Sequence, residues 1–270
     1  MIAISTIGCS SSPEEYTQQL YRDGLFKNFE YMANHNIVLK DLMQLVTVCA
    51  QPDLALSQSG ASLCSTSQHD SQNAIDQHVT HIKKMVAYKC ATIIIWPGYI
   101  PVLNGVELHK KMLISDEFTS VESQKRTEHL QYLCRSLFTL CKNFPQIKFC
   151  IPTGRTFYEM PISVQEVQWI LEDVKCANLK YWHNTASSFF LEKMKFENQD
   201  SWLEILGSHT HGVHLQDIVG QDVLCPPGTG EIKFAYVKSH LPKNAIKVLQ
   251  ISQQFGAFGI QTALDILKIY

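Results

Sequence analysis

His214 and Gln216 stand two residues apart in the run GVHLQD. In an extended segment that spacing turns both to one side while Val213 and Leu215 face the other. An imidazole beside an amide on one face suits acid–base work or the recognition of hydroxyl groups. Asp217 follows directly, and the loop QDVLCPPGTGEIKF then carries Glu231 behind a stiff turn of Pro226, Pro227 and Gly228. Other β-rich runs end in polar or aromatic groups: Glu30 in KNFEYM, Trp96 in IIIWPG, His183 and Asn184 in KYWHNT, and Gln250 in VLQIS. Arg155, in PTGRTFYE, offers a guanidinium suited to a bidentate anion contact. Trp96, Trp182, Phe157 and Tyr158 could form an apolar wall of a binding site, although aromatic residues more often fill cores.

The elements that must position these groups follow from an alternation of short β-rich runs with longer segments of helical period. Strands are expected at IAISTIG from Ile2, LFKNFEYM from Leu25, LALSQSG from Leu54, ATIIIWPG from Ala91, IKFCIPTG from Ile147, LKYWHNT from Leu179, GVHLQDI from Gly212 and IKVLQIS from Ile246. Between them, apolar residues recur at helical spacing: Ile75, Val79, Ile82 and Val86; Leu130, Leu133, Leu137 and Leu140; Val164, Val167, Leu171 and Val174; Ile260, Leu264 and Leu267. Ser12 before Pro13, and Ser163 three residues before Glu166, mark helix starts. The segment from Tyr99 to Glu122 has no clean period and reads as a flap or an inserted helix. The pattern predicts an α/β protein, a (β/α)8 TIM barrel with an eight-stranded parallel sheet, spanning residues 1–270 as one domain. In such a barrel functional groups come from the C-terminal ends of the strands.

Composition agrees. The chain has 270 residues, 45% of them hydrophobic, and a barrel needs roughly 250. A formal charge of −2 and a pI near 6.6 argue against a nucleic-acid partner, which calls for a basic surface. No run approaches the roughly 20 apolar residues that span a bilayer, and the start MIAISTIGCSSSPEEY lacks the basic region of a secretory leader. A cytoplasmic protein with no membrane partner is therefore expected; a homo-oligomer is neither required nor excluded. The nine cysteines form no CxxC pair and read as reduced core thiols, with Cys225 the exposed-looking one. His209 and His211 fall in the loop or at the N-terminal end of the strand, far from the catalytic rim, so a metal role for the trio with His214 is not expected, and His78, His81 and Asp76 read as a solvated helix face.

VHLQD followed by PPGTGEIKF resembles the strand-7 signature of the xylose isomerase-like superfamily of sugar phosphate isomerases and epimerases, which is related to endonuclease IV. FKNFEYM, IIIWPG and KYWHNTASS resemble, in the same order, its strand-2, strand-4 and strand-6 segments. The resemblance implies one divalent ion held by a Glu, an Asp, a His and a Glu on strands 5 to 8, the two glutamates also moving the proton. The matching positions here are Pro152, Asn184, His214 and Gln250, with Trp96 and Ser187 where histidines are common. His214 is the only ligand retained, so no metal cofactor is expected: a hard dication needs anionic oxygens, and neither Pro152 nor Gln250 can act as a base.

The expected function is accordingly that of a degenerate relative, a pseudoenzyme binding a small sugar or sugar-phosphate-like ligand. His214 and Asp217 would orient hydroxyls, Asn184 and Gln250 would make neutral hydrogen bonds, Arg155 would meet an anionic group, and Glu30, His183, Glu231 and Trp96 would complete the site. The alternative is an active isomerase or epimerase with His214 as proton shuttle and Glu30, Glu159 or Glu231 as its partner. A nuclease of the abasic-site type lacks the necessary cluster of acids and histidines.

Overall fold

The computed structural model describes residues 2–32, 37, 39, 43–50, 62–100, 120–155 and 159–269. Eight parallel strands close into a barrel: β1 (Ile2–Ser5), β2 (Asn28–Met32), β3 (Gln44–Ala50), β4 (Thr92–Ile95), β5 (Lys148–Pro152), β6 (Leu179–Asn184), β7 (Thr210–Leu215) and β10 (Ile246–Leu249). The helices are α1 (Pro13–Arg22), α2 (Gln68–Ala87), α3 (Ser120–Asn143), α4 (Val164–Val174), α5 (Thr185–Lys193), α6 (Gln199–Leu206), α7 (Phe234–His240) and α8 (Gly256–Ile269). A small antiparallel hairpin, β8 (Asp217–Val219) with β9 (Asp222–Cys225), follows β7 directly.

One strand differs from expectation. The third is QLVTVCA at Gln44–Ala50, not LALSQSG from Leu54. Val46, Thr47 and Val48 are β-branched and suit a pleated, packed surface, whereas Ala, Ser and Gly favour it little. Residues 51–61, with Ser57 and Ser59, lie outside the described residues, as do 101–119 of the expected flap and Phe157 and Tyr158.

Two cores follow from strand alternation. Ala3, Ile94, Cys150, Trp182 and Val248 fill the barrel interior. Ile4, Phe29, Ile93, Ile95, Phe149, Ile151, Val213, Leu215 and Leu249 face outward into the larger core shared with the helices. Trp182 dominates the interior: its ring lies where a side chain on Gly212 would begin, a Cβ there standing 2.1 Å from the indole. Only glycine allows the ring into the barrel at this point.

The helix signals hold with local variations. The Ser163 hydroxyl accepts from the Glu166 amide at 3.2 Å, and Glu166 turns its carboxylate to Arg126, at 2.8 and 3.0 Å, and to the Ile162 amide. Pro13 opens α1, but Ser12 makes no side-chain cap. The solvated-face reading of α2 is corrected for His78, which is buried with its pKa lowered to about 4 by that burial. Cys225 is buried too, not exposed, because it pairs with Asp217 across the hairpin. No helix among the described residues is long and apolar enough to cross a membrane.

Candidate functional site

At the C-terminal ends of the strands, β7 sends His214 inward against the Trp182 ring, edge-on with centroids 5.2 Å apart. Its Nε2 meets Glu30 Oε2 at 2.9 Å. Glu30 lies on β2, where a bulge between Phe29 and Glu30 leaves Val46 of β3 unpaired, and both side chains are almost wholly enclosed, at 3% and 0% exposure. The other Glu30 oxygen faces Gln250 Nε2 at 3.5 Å. Gln216 Nε2 in turn donates to Gln250 Oε1 at 2.9 Å and approaches Asn184 Oδ1 at 3.4 Å. Gln216 Oε1 accepts from the Leu224 amide of the hairpin at 3.1 Å.

This chain of five side chains has a direction. An ionised carboxylate only accepts, so Gln250 must turn its NH2 to Glu30 and its oxygen to Gln216, and His214 must carry the proton on Nε2. Asn184 also caps α5, its Oδ1 accepting from the Ser187 amide at 3.0 Å. Gln216 is the link that joins β6, β7 and β10. The alternation GVHLQD turned it inward, but nothing in the sequence showed that it would reach both Asn184 and Gln250.

Two polar atoms beside this network are buried without a hydrogen-bond partner among the described residues, Nε1 of Trp182 and Oγ of Ser187; Nε1 of Trp96 is unpartnered as well, but beside Ala74, Gln77 and His78 of α2. Each is a donor that requires water or a ligand to be satisfied. Trp96 also packs edge-on against Tyr99, with centroids 4.3 Å apart.

Other candidates fall elsewhere. His183 alternates outward from Asn184; its Nδ1 lies 3.0 Å from the Tyr181 hydroxyl, which lies 2.7 Å from Thr153 Oγ1. Burial lowers its pKa to about 3, and it belongs to the layer between strands and helices rather than to the mouth. Asp217 does not orient a ligand, since both its oxygens are taken. Oδ1 accepts from the Ile218 and Ile232 amides at 2.9 and 3.1 Å, and Oδ2 from Gly228 and Gly230 at 2.9 and 2.8 Å. Glu231 is exposed and pairs with Lys193 at 3.1 Å, outside the buried network, because the turn that Asp217 gathers carries it to the surface. Glu159 is enclosed, accepting from the Arg155 amide at 2.6 Å and from its guanidinium at 3.3 Å. Arg155 itself is half exposed just beyond β5, reaching solvent while tethered to Glu159.

The donors gathered around His214 are one carboxylate, one imidazole and three amides. They do not fit a hard divalent ion, which is stabilised by several anionic oxygens. Among the described residues no group of three His, Cys, Asp or Glu side chains could hold a metal.

No family model matches the sequence, and no curated protein matches it. Solved structures do. A D-tagatose 3-epimerase-like protein superposes with a TM-score of 0.69 at 16% identity, covering 100% of this chain and 96% of that one. A D-psicose 3-epimerase from Clostridium cellulolyticum H10, solved with D-tagatose, gives 0.68 at 14%, covering 99% and 97%. The probable 3-DHS dehydratase of petrobactin synthesis from Bacillus anthracis gives 0.67 at 13%, covering 99% and 98%. The chain therefore shares the (β/α)8-barrel fold of these structures over essentially its whole length.

Proposed function

We propose that the barrel binds a small polyhydroxylated compound, a sugar or sugar phosphate, at the C-terminal ends of its strands, without a resident divalent metal and with epimerase chemistry altered or lost. The observation that carries this reading is the buried chain Asn184–Gln216–Gln250–Glu30–His214. Its neutral amides are built to exchange hydrogen bonds with hydroxyl groups, and its single carboxylate is already engaged by His214 and Gln250. A base that abstracts a carbon-bound proton needs a free lone pair facing the substrate, and Glu30, fully enclosed, offers none. The unsatisfied Trp182 indole and the Ser187 hydroxyl are donors suited to such a ligand, and similar structures include one solved with D-tagatose.

The contact between His214 and Glu30 supports a second reading, an active isomerase in which the imidazole moves the proton and Glu30 orients it. Glu159 and Glu231 drop out of that role because Arg155 and Lys193 engage them. The two readings separate in deuterated water: a binding protein leaves ketose C–H bonds unexchanged, whereas an isomerase incorporates solvent deuterium. Elemental analysis of the purified protein, with thermal-shift screening against ketoses and sugar phosphates with and without Mn2+, tests the first. We expect stabilisation by a sugar-like ligand that is independent of metal. Near-stoichiometric Mn, Zn, Mg or Co in the protein would defeat it.

A further inference from the structure

The opposite pole of the barrel holds a cavity of about 410 Å³, whose lining includes Lys180, Ser208, His209, Thr210, His211 and Asn244. That volume falls within the range of small-molecule sites, about 300–1,000 Å³. No Asp or Glu is among its described lining residues, and each of its charged or imidazole side chains is a base. The charges of Lys148, at the start of the neighbouring β5, and of Lys180, on β6, both act on His211.

The backbone delivers His211 to this place by a defect in the barrel. Tyr181 pairs with Thr210 and Trp182 with Gly212, so His211 is the extra residue of a bulge between β6 and β7. Bulges at barrel rims re-aim side chains. Here the bulge lets Thr210 point outward, its hydroxyl donating to the Leu206 carbonyl at 3.0 Å, while Gly212 makes room for Trp182. His211 Nε2 is then left buried with no hydrogen-bond partner among the described residues. Burial, followed by the Lys148 and Lys180 ammonium groups, holds the His211 pKa below its ordinary value. The Lys148 and Lys180 charges, the smaller part of that lowering, favour a negative charge at the same spot.

We propose that this cavity is a binding site for a small oxyanion, inorganic phosphate or the phosphoryl group of a small metabolite, held by the Lys180 ammonium and the His209 and His211 imidazoles. It is independent of the sugar-like ligand assigned to the other pole. An ammonium and two ring nitrogens suit a tetrahedral anion, giving charge-assisted hydrogen bonds from several directions.

Titration calorimetry of the full chain with inorganic phosphate at low ionic strength, followed in parallel by the His211 ring signals in NMR, tests the assignment. Saturable binding that moves those signals is expected, weakened about tenfold or more by Lys180→Gln and by His211→Ala, each the loss of one charge-assisted or polar contact. Glu30→Gln, at the other pole, should leave it unchanged. A parallel titration with glycerol phosphate identifies the source of the anion: tighter binding of the ester points to a metabolite, equal or weaker binding to free phosphate. Thermal unfolding of each variant establishes that it is folded. Absence of saturable phosphate binding, or binding indifferent to both cavity substitutions in folded variants, would overturn the proposal and leave the bases as a means of offsetting the helix C-termini gathered at this pole.

Discussion

Glu30 and Glu231 are the same residue type in opposite settings. Glu30 is fully buried between an imidazole and an amide; Glu231 is half exposed beside a lysine. Replacing Glu30 by Gln keeps the shape but presents an NH2 or a weaker acceptor to His214 and Gln250, so one buried donor loses its partner at a cost of about 1–3 kcal/mol. Glu231→Gln removes an exposed ion pair and should cost less than about 1 kcal/mol. Urea unfolding of both variants at one pH measures the difference, and equal midpoints would mean that the Glu30 contact contributes no more than a surface pair. At this scale the sequence identified His214 and Glu30 as chemistry-bearing residues, but not that they touch, since they are 184 positions apart. It gave His183 and Asp217 the same weight as Asn184 because residue type alone does not say which side of a strand a group faces or which amides surround it.

Among the elements, the turn after β7 depends on Asp217 more than on its prolines. Four backbone N–H groups converge on that one carboxylate, from Ile218, Gly228, Gly230 and Ile232. Gly230 must be glycine for the approach, since a Cβ there would stand 2.0 Å from the Ile218 carbonyl oxygen. Asp217→Ala leaves these donors to water or to nothing, and with about 1–3 kcal/mol for each one stranded it should cost at least about 3 kcal/mol. Faster amide hydrogen exchange at Gly228, Gly230 and Ile232 should accompany the loss; unchanged exchange would show that the turn holds itself. The run VHLQD and the PPGTGE loop were legible as a strand followed by a stiff turn. The third strand was not placed correctly, because a short apolar run competes with its neighbours in sequence, and only pairing with β2 and β4 selects Gln44–Ala50.

For the whole molecule, burial of neutral imidazoles links stability to pH. His78 and His183 have pKa values lowered from 6.5 to about 4 and about 3, burial being the largest cause in each case. Above about 6.5 both are neutral whether the chain is folded or unfolded, and they cost nothing. As the pH falls below that value the unfolded chain takes up protons that the folded one refuses, so stability declines until the folded-state values are reached. Each group contributes a slope of up to about 1.4 kcal/mol per pH unit. Unfolding midpoints measured at pH 7.5, 6 and 5 should fall in that order, and the decline should be shallower in His183→Leu; a flat profile would contradict the burial of these rings. The sequence by itself determined the barrel, since strand and helix periods, chain length and the order of apolar runs are local properties that admit few packings. It also determined which residue types stand at the strand ends, Pro152, Asn184, His214 and Gln250, from which the absence of a metal is proposed. Only the tertiary structure decided which polar groups meet: closing the barrel pairs β1 with β10, which sets β2 and β7 on either side of that pair and joins Glu30 to His214 and Gln250 across most of the chain, while one bulge between β6 and β7 accommodates His211 at the opposite pole.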